Sequence, residues 1–362
     1  MVIDYKLLYL FRYFYPPASS PKQPLNMENN LPLKLVLNQM LFGFVMTKAI
    51  HVAAKLNIAD ILGSQGPMTG AELAKQSGAD EESVSRLLRA LASTGIFSID
   101  QSGKYSLTPL AELLKEDNPE SIKAMALVLG DMLYKAYDEL LFSVKTGEGG
   151  FTKALGVPVF EYLTNNAETG KLFDRMMTDI HGGETQPMVE TYDFSPLNTV
   201  VDIGGGNGEV ISAILNKNAA VNGILFDLPE VIDRARNNIS ASGFGNRCQL
   251  IAGNFFESVV KGGDGYIMRH ILHDWSDHDA ITILTNCRKS MNAGGKVLVV
   301  EAVIQEGNEP SPFKLLDLTM LLIGGKERTR SQFENIFSKA GLKLNRIVPF
   351  QNDLSVVEGI AV

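Results

Sequence analysis

The sequence predicts an α/β protein, with a doubly wound, mostly parallel sheet in its C-terminal half and a helical domain of winged-helix type before it. Three observations carry this expectation. From Leu197 onward, short β-rich runs alternate with helical segments, as strand–helix–strand units do. The first of these runs ends in a glycine loop, DIGGGNG at 202–208, that opens a helix. Upstream, the stretch from Thr69 to Leu107 reads helix, turn, helix, hairpin.

The chain has 362 residues, enough for two domains with ample core. A net charge of −8 argues against nucleic acid or an anionic membrane as the main partner, since both select basic faces. Cys248 and Cys287 make no disulfide framework and point to a reducing, cytoplasmic setting. No apolar run is expected to be long enough to cross a bilayer. The start, MVIDYKLLYLFRYFY, is aromatic but short, and Lys6 and Arg12 interrupt it, which makes it a poor signal peptide. PPASSPKQP follows as a Pro/Ser linker, and Met27 is a natural start for the globular part. Four segments result: an extension over 1–26 that can be disordered, a winged-helix-like domain over 27–115, a helical linker and pocket region over 116–195, and a catalytic domain over 196–362.

Residues 31–62 are helical in character and apolar around most of the helix circumference, so another surface must cover them, and a partner subunit is the expected one. Thr69 with Glu72 makes a capping box, Asp80 can cap the next helix, and Gly95 ends it. IFSI and KYSL then pair about Gly103. Winged helices often bind DNA, but the would-be recognition helix, DEESVSRLLRALAS, sets Glu81 and Glu82 against Arg86 and Arg89. Few positive charges remain for phosphates, so a structural or dimer-forming role is favoured.

Residues 113–195 read as mostly helical and rich in methionine and aromatics, among them Phe173, Met176 and Met177. They fit helical core and an adaptable apolar pocket equally well.

NTVVDIGGGNG is a buried strand, and GILFD, QLIAGNF, GYIMRHI and KVLVVEAVI are further strands. KLNRIVPF and LSVVEGIAV close the chain as an antiparallel pair. Gly204, Gly206 and Gly208 let backbone amides approach a ligand, but the dinucleotide fingerprint fails, because its third glycine position is Glu209. Asp202, just before the loop, would repel a pyrophosphate and suits a cationic ligand such as S-adenosylmethionine. Asp227 ends the next strand, where an acid can bind both ribose hydroxyls. Asn254 and Phe255 end the third strand, placed to meet an adenine by hydrogen bond and ring face. Each alone could be a turn residue; together they mark one crevice.

VVDIGGGNG, FDLPEVI, GNFF, RHILHDWSD, GKVLVVEAVI, DLTML and GGKERT carry a likeness. From about residue 35 to the end the chain resembles the S-adenosylmethionine-dependent small-molecule O-methyltransferases, the group of plant caffeic acid and isoflavone enzymes and of bacterial secondary-metabolism relatives. GADEESVSRLLRALASTGIF resembles the family's dimerisation domain. The likeness implies a Rossmann-like class I methyltransferase sheet and a homodimer whose N-terminal helices each line part of the partner's pocket. It implies His273 as general base, flanked by Glu301 and Glu327. Asp202, Gly204, Gly206, Gly208, Asp227, Leu228, Asn254, Phe255 and Arg269 are the cofactor candidates, with Arg269 near the adenine. Phe173, Met177, His181, Asp274 and Met320 are the substrate candidates. Many members carry an acid where Asn254 stands, and plant enzymes carry a longer segment before GGKERT, so plant-type acceptor contacts do not transfer.

RHILHDWSDH, 269–278, holds three of the five histidines. His270 is expected on the strand, His273 at its mouth and His278 at the start of a helix, so they need not converge and no metal site is expected. A phenol has a pKa of about 10 and is mostly protonated at neutral pH; a histidine near about 6.5 can take its proton as the oxygen attacks. A carboxylate on the other ring nitrogen would fix the tautomer, with Glu301 and Glu327 as candidates and a solvated strand cap as the alternative for Glu301. The acceptor expected is small, flat and largely apolar with a phenol or enol hydroxyl. The rival expectations are a family member with non-methylating chemistry (hydroxylation or a pericyclic reaction), a winged-helix regulator, and a magnesium-dependent catechol enzyme, whose clustered oxygen ligands the chain does not supply.

Overall fold

The computed structural model describes residues 33–362; the expected 1–26 extension lies outside the described residues. They form two compact units, one of residues up to Glu139 with Phe151–Gly182, the other of Leu140–Gly150 with Gly183–Val362.

In the first unit the apolar stretch is not one helix but three, Leu33–Leu41, Gly43–Lys55 and Ile58–Gln65. Asn57 makes the second break with a left-handed backbone, φ 53°. The capping box is present: Glu72 N–H donates to Thr69 Oγ1 (3.3 Å) and Thr69 N–H to Glu72 Oε2 (2.8 Å). Asp80 Oδ1 accepts from Ser83 N–H at 2.9 Å, and helix Glu81–Ser93 runs to the turn before β2 (Phe97–Ile99). β2 and β3 (Lys104–Leu107) pair antiparallel, and β1 (Met68–Thr69) adds to the outer side of β3. Ile58, Leu73, Leu88, Leu91 and Phe97 form the core beneath this wing. Gly70 lets two helices meet, since a Cβ there would lie 2.3 Å from Ser85 Oγ.

By length and composition the two helices across Leu33–Lys55 together pass for a membrane-crossing segment, with a mean hydropathy of 1.4. The expectation that no apolar run is long enough is therefore corrected. Lys34 and Lys48 are the only residues between Leu33 and Val52 with a fixed charge, too few to break the run.

The second unit is built on a sheet of order β10-β11-β8-β7-β4-β5-β6. Its strands are β4 (Thr199–Ile203), β5 (Asn222–Asp227), β6 (Cys248–Ala252), β7 (Gly265–Arg269), β8 (Lys296–Ile304), β10 (Leu342–Gln351) and β11 (Leu354–Ala361), with a short β9 (Arg328–Thr329) parallel to the end of β8. The five strands β8, β7, β4, β5 and β6 are parallel; β11 runs antiparallel to β8 and β10. Side chains alternate between two cores: Val201, Ile203 and Phe226 face one, Val200, Leu225 and Ile267 the other. With both faces covered, the strands read as continuous apolar runs. The strand order reverses between β4 and β7, so the loops after these strands open a crevice at the carboxyl edge.

Candidate active site

The loops after β4, β5 and β6 at that edge carry most of the expected cofactor residues. Gly204, Gly206 and Gly208 all have positive φ (65°, 58° and 82°). A Cβ on Gly204 would strike Ile271 at 2.6 Å, whereas one on Gly206 meets nothing within 4 Å, so Gly206 borders open space. Gly206 N–H donates to Asp227 Oδ2 (2.9 Å) and Leu228 N–H to Asp227 Oδ1 (2.7 Å). Both Asp227 oxygens are thus held by backbone amides, each with a lone pair left for a hydroxyl. Asp202 is 1% exposed, and its Oδ2 has no hydrogen-bond partner. Burial pushes its carboxyl up to about 7, against the pull of Arg269. A buried, unsatisfied carboxylate beside an open glycine cradle fits a cationic ligand and not a pyrophosphate.

Two placements differ from expectation. β6 stops at Ala252, so Asn254 and Phe255 lie in the loop beyond it. Asn254 Oδ1 accepts from Phe256 N–H at 3.0 Å, an Asx turn that uses the amide locally. Phe255 packs edge-on against Trp275, its ring centroid 6.2 Å away. Arg269, expected near the adenine, instead donates to Thr185 Oγ1 (2.6 Å) and lies 3.5 Å from Glu209 Oε2. β4 and β5 stand between its strand and β6, which puts it at the start of helix Glu209–Lys217, away from the strand that leads to Asn254 and Phe255. Thr185 and Glu209 were not singled out from sequence; only the missing third glycine hinted at Glu209.

His273 sits in a single helical turn, Leu272–Asp274, directly after β7, and is 7% exposed. Its Nδ1 lies 2.8 Å from Glu327 Oε1, and its backbone N–H donates to Glu301 Oε1 at 3.0 Å. The two glutamates divide the work, one on the ring and one on the backbone. Glu301 is no solvated cap: it lies inside nine-residue β8 and is 1% exposed. Burial pushes Glu301 up to about 7, opposed by His273 and Arg328. With Glu327 accepting at Nδ1, the neutral ring carries its proton there and Nε2 is the basic nitrogen; Nε2 is 3.6 Å from Asp274 Oδ1, beyond hydrogen-bond distance.

His270 is not on the strand, as expected, but just past it at φ 52°. Its Nε2 lies 2.7 Å from Glu184 Oε2, and its ring centroid 5.2 Å from that of His273. His278 is exposed in the first turn of helix Asp277–Ser290. Met320 is buried in helix Pro312–Ile323. Phe173, Met177 and His181 lie along helix Ala167–His181 of the first unit, each half-buried.

Two family models match the chain, an O-methyltransferase domain over residues 137–343 and an O-methyltransferase dimerisation domain over 38–117. The phenazine O-methyltransferase PhzM of Lysobacter antibioticus is 41% identical over 336 residues, 91% of this chain and 98% of its own. The aclacinomycin 10-hydroxylase RdmB of Streptomyces purpurascens is 31% identical over 359 residues, 95% of each chain. The solved structure of NcsB1, an O-methyltransferase from neocarzinostatin biosynthesis in complex with S-adenosylmethionine and 2-hydroxy-5-methyl naphthoic acid, matches with a TM-score of 0.79 and 32% identity, covering 88% of this chain and 96% of that one.

Proposed function

The chain belongs to the O-methyltransferase family, and from that premise we propose that His273 is the general base for methylation of a phenol or enol hydroxyl on a small, flat, largely apolar acceptor. The chain is an S-adenosylmethionine-dependent O-methyltransferase with the class I methyltransferase fold. When bound, the cofactor supplies a methyl group already activated by its sulfonium. The protein's part is to bind, align and deprotonate. Asp202, the loop of Gly204, Gly206 and Gly208, and Arg269 are assigned to the amino acid end; Asp227 and Leu228 to the ribose; Asn254 and Phe255 to the adenine. Phe173, Met177, His181, Asp274 and Met320 are assigned to the acceptor.

The observation that carries the base assignment is the 2.8 Å contact of Glu327 with His273 Nδ1 at the mouth of β7. It fixes one tautomer, directs Nε2 to the acceptor oxygen, and stabilises the imidazolium that forms. No metal is needed, because the nucleophile is made by proton transfer alone. His273→Ala should lower turnover about 10²–10⁴-fold with cofactor affinity within a few-fold of wild type, read by single-turnover kinetics and calorimetric titration. Near-normal methylation in that variant sinks the assignment.

The likeness to RdmB, named as a hydroxylase, favours a second reading, in which the cofactor is bound and no methyl moves. His273 with two glutamates speaks against it. Incubation with methyl-labelled cofactor and a panel of hydroxylated aromatics, read by mass spectrometry, separates the two: label in any product supports methylation, and none across the panel supports the second reading. We assign dimerisation to 27–115, the acceptor pocket to 116–195 and catalysis to 196–362, and place the enzyme in the cytoplasm as a homodimer.

A further inference from the structure

We propose that Arg328 is a positioning residue for His273, acting as a buried clamp that holds the Leu272–Trp275 turn in register with Glu327. The proposal rests on the assignment of His273 as base. Arg328 is fully buried at the start of β9. Its Nη1 donates to the carbonyl of Leu272 (2.8 Å) and its Nη2 to that of Trp275 (2.9 Å), the residue before His273 and the second one after it. Nε donates to Asp277 Oδ1 at 3.1 Å, which anchors the guanidinium to helix Asp277–Ser290. One planar fork therefore spans both ends of the turn, a task lysine's single ammonium does not share.

Other atoms of the same segment close on the same turn. Lys326 N–H donates to the His273 carbonyl at 2.6 Å. Gly325 passes so close that a Cβ would lie 2.1 Å from that carbonyl oxygen. With Glu327 on the ring, the GGKER segment holds His273 by its carbonyl, its neighbours' carbonyls and its imidazole. β9 is itself tied to β8 through Val303 opposite Arg328, and β8 supplies Glu301 to the His273 N–H. If Arg328 moves, the turn can rotate and Nδ1 leaves Glu327.

The groups that face the imidazole are Glu327 before β9, Glu301 from β8, Asp274 from its own turn, and His270 just past β7. Arg328 contributes positive charge beside Glu301, so its loss also alters their balance.

The test uses the full-length enzyme carrying Arg328→Lys and, separately, Asp277→Ala, which releases the anchor and leaves Arg328 in place. Arg328→Lys should keep the KM for acceptor and the affinity for S-adenosylhomocysteine within about threefold, while kcat falls about 10–100-fold. Taken on the alkaline side, where the ring is neutral, the nitrogen-15 imidazole spectrum should lose the single-tautomer pattern of His273, and its titration should shift. Asp277→Ala should move both readouts the same way by a smaller factor, about 3–10-fold in kcat. A folded Arg328→Lys with wild-type kcat and an unchanged imidazole spectrum overturns the proposal. If Arg328→Lys does not fold, an unchanged spectrum and kcat in Asp277→Ala overturn it equally. The imidazole spectrum reports ring position whether or not His273 is the base; activity retained in His273→Ala would fail the base assignment alone.

Discussion

His273 is a basic group in an acidic pocket, and the pocket sets when it can act. Burial favours the neutral ring, but Asp274, Glu327 and Glu301 outweigh it and hold the imidazole up at about 10. Below that value the imidazolium predominates and cannot accept a proton. Turnover should therefore rise with pH through neutrality and level off on the alkaline side. Glu327→Gln keeps an acceptor for Nδ1–H and removes one negative charge. The imidazolium then loses its proton more easily, so the rising limb should move to lower pH by about one unit. The plateau should fall about tenfold or more, because the imidazolium formed during transfer loses its counter-charge. A pH–kcat profile of both proteins, with acceptor and cofactor saturating, checks this. A limb that stays put would remove Glu327 from the site's electrostatics.

The loop after β4 makes a comparable demand on backbone. Gly206 combines φ 58° with open space where a side chain would stand. Gly206→Ala should cost about 1–2 kcal/mol in stability from the left-handed backbone alone. If that space holds the cofactor, the added methyl should also weaken S-adenosylhomocysteine binding about tenfold or more, measured by calorimetric titration. Unchanged affinity would mean that Gly206 does not face the ligand. Features of this local kind were legible in sequence: the Thr69–Glu72 box, the Asp80 cap, the hairpin about Gly103, the glycine loop and the terminal antiparallel pair all rest on residues a few positions apart. What was not legible depends on strands meeting across long stretches of chain. β9 pairs with β8, and this decides that Glu327 takes the imidazole and Glu301 the backbone amide. Arg269 turns to Glu209 and Thr185, 60 and 84 residues away, and nothing in RHILHDWSDH announces that. Arg328 was visible only as a letter in GGKERT. Asn254 could be read as a turn residue or as an adenine contact, and its Oδ1 accepts from Phe256 N–H with a second lone pair left for a ligand.

At the scale of the whole molecule, the first two helices pose the largest unanswered demand. Leu33, Leu37, Met40, Leu41, Phe42 and Phe44 each expose more than half their surface. A contiguous apolar face of that kind marks an interface. A bilayer would satisfy it by length and composition, and so would a second chain. The match of the dimerisation domain model begins at residue 38, inside this face, and favours a second copy. Paired charges placed there, Leu37→Glu with Phe44→Asp, remove no buried contact from the single chain, yet a dimer interface would have to bury both. The double variant should therefore keep its melting temperature within a few degrees, measured at low protein concentration, and sediment at the mass of one chain instead of two. Turnover should fall with it, since the family resemblance has each N-terminal helix completing the partner's pocket. A double variant that still sediments as a dimer would place the subunit contact elsewhere, and a wild-type chain that pellets with lipid vesicles would assign the face to a membrane.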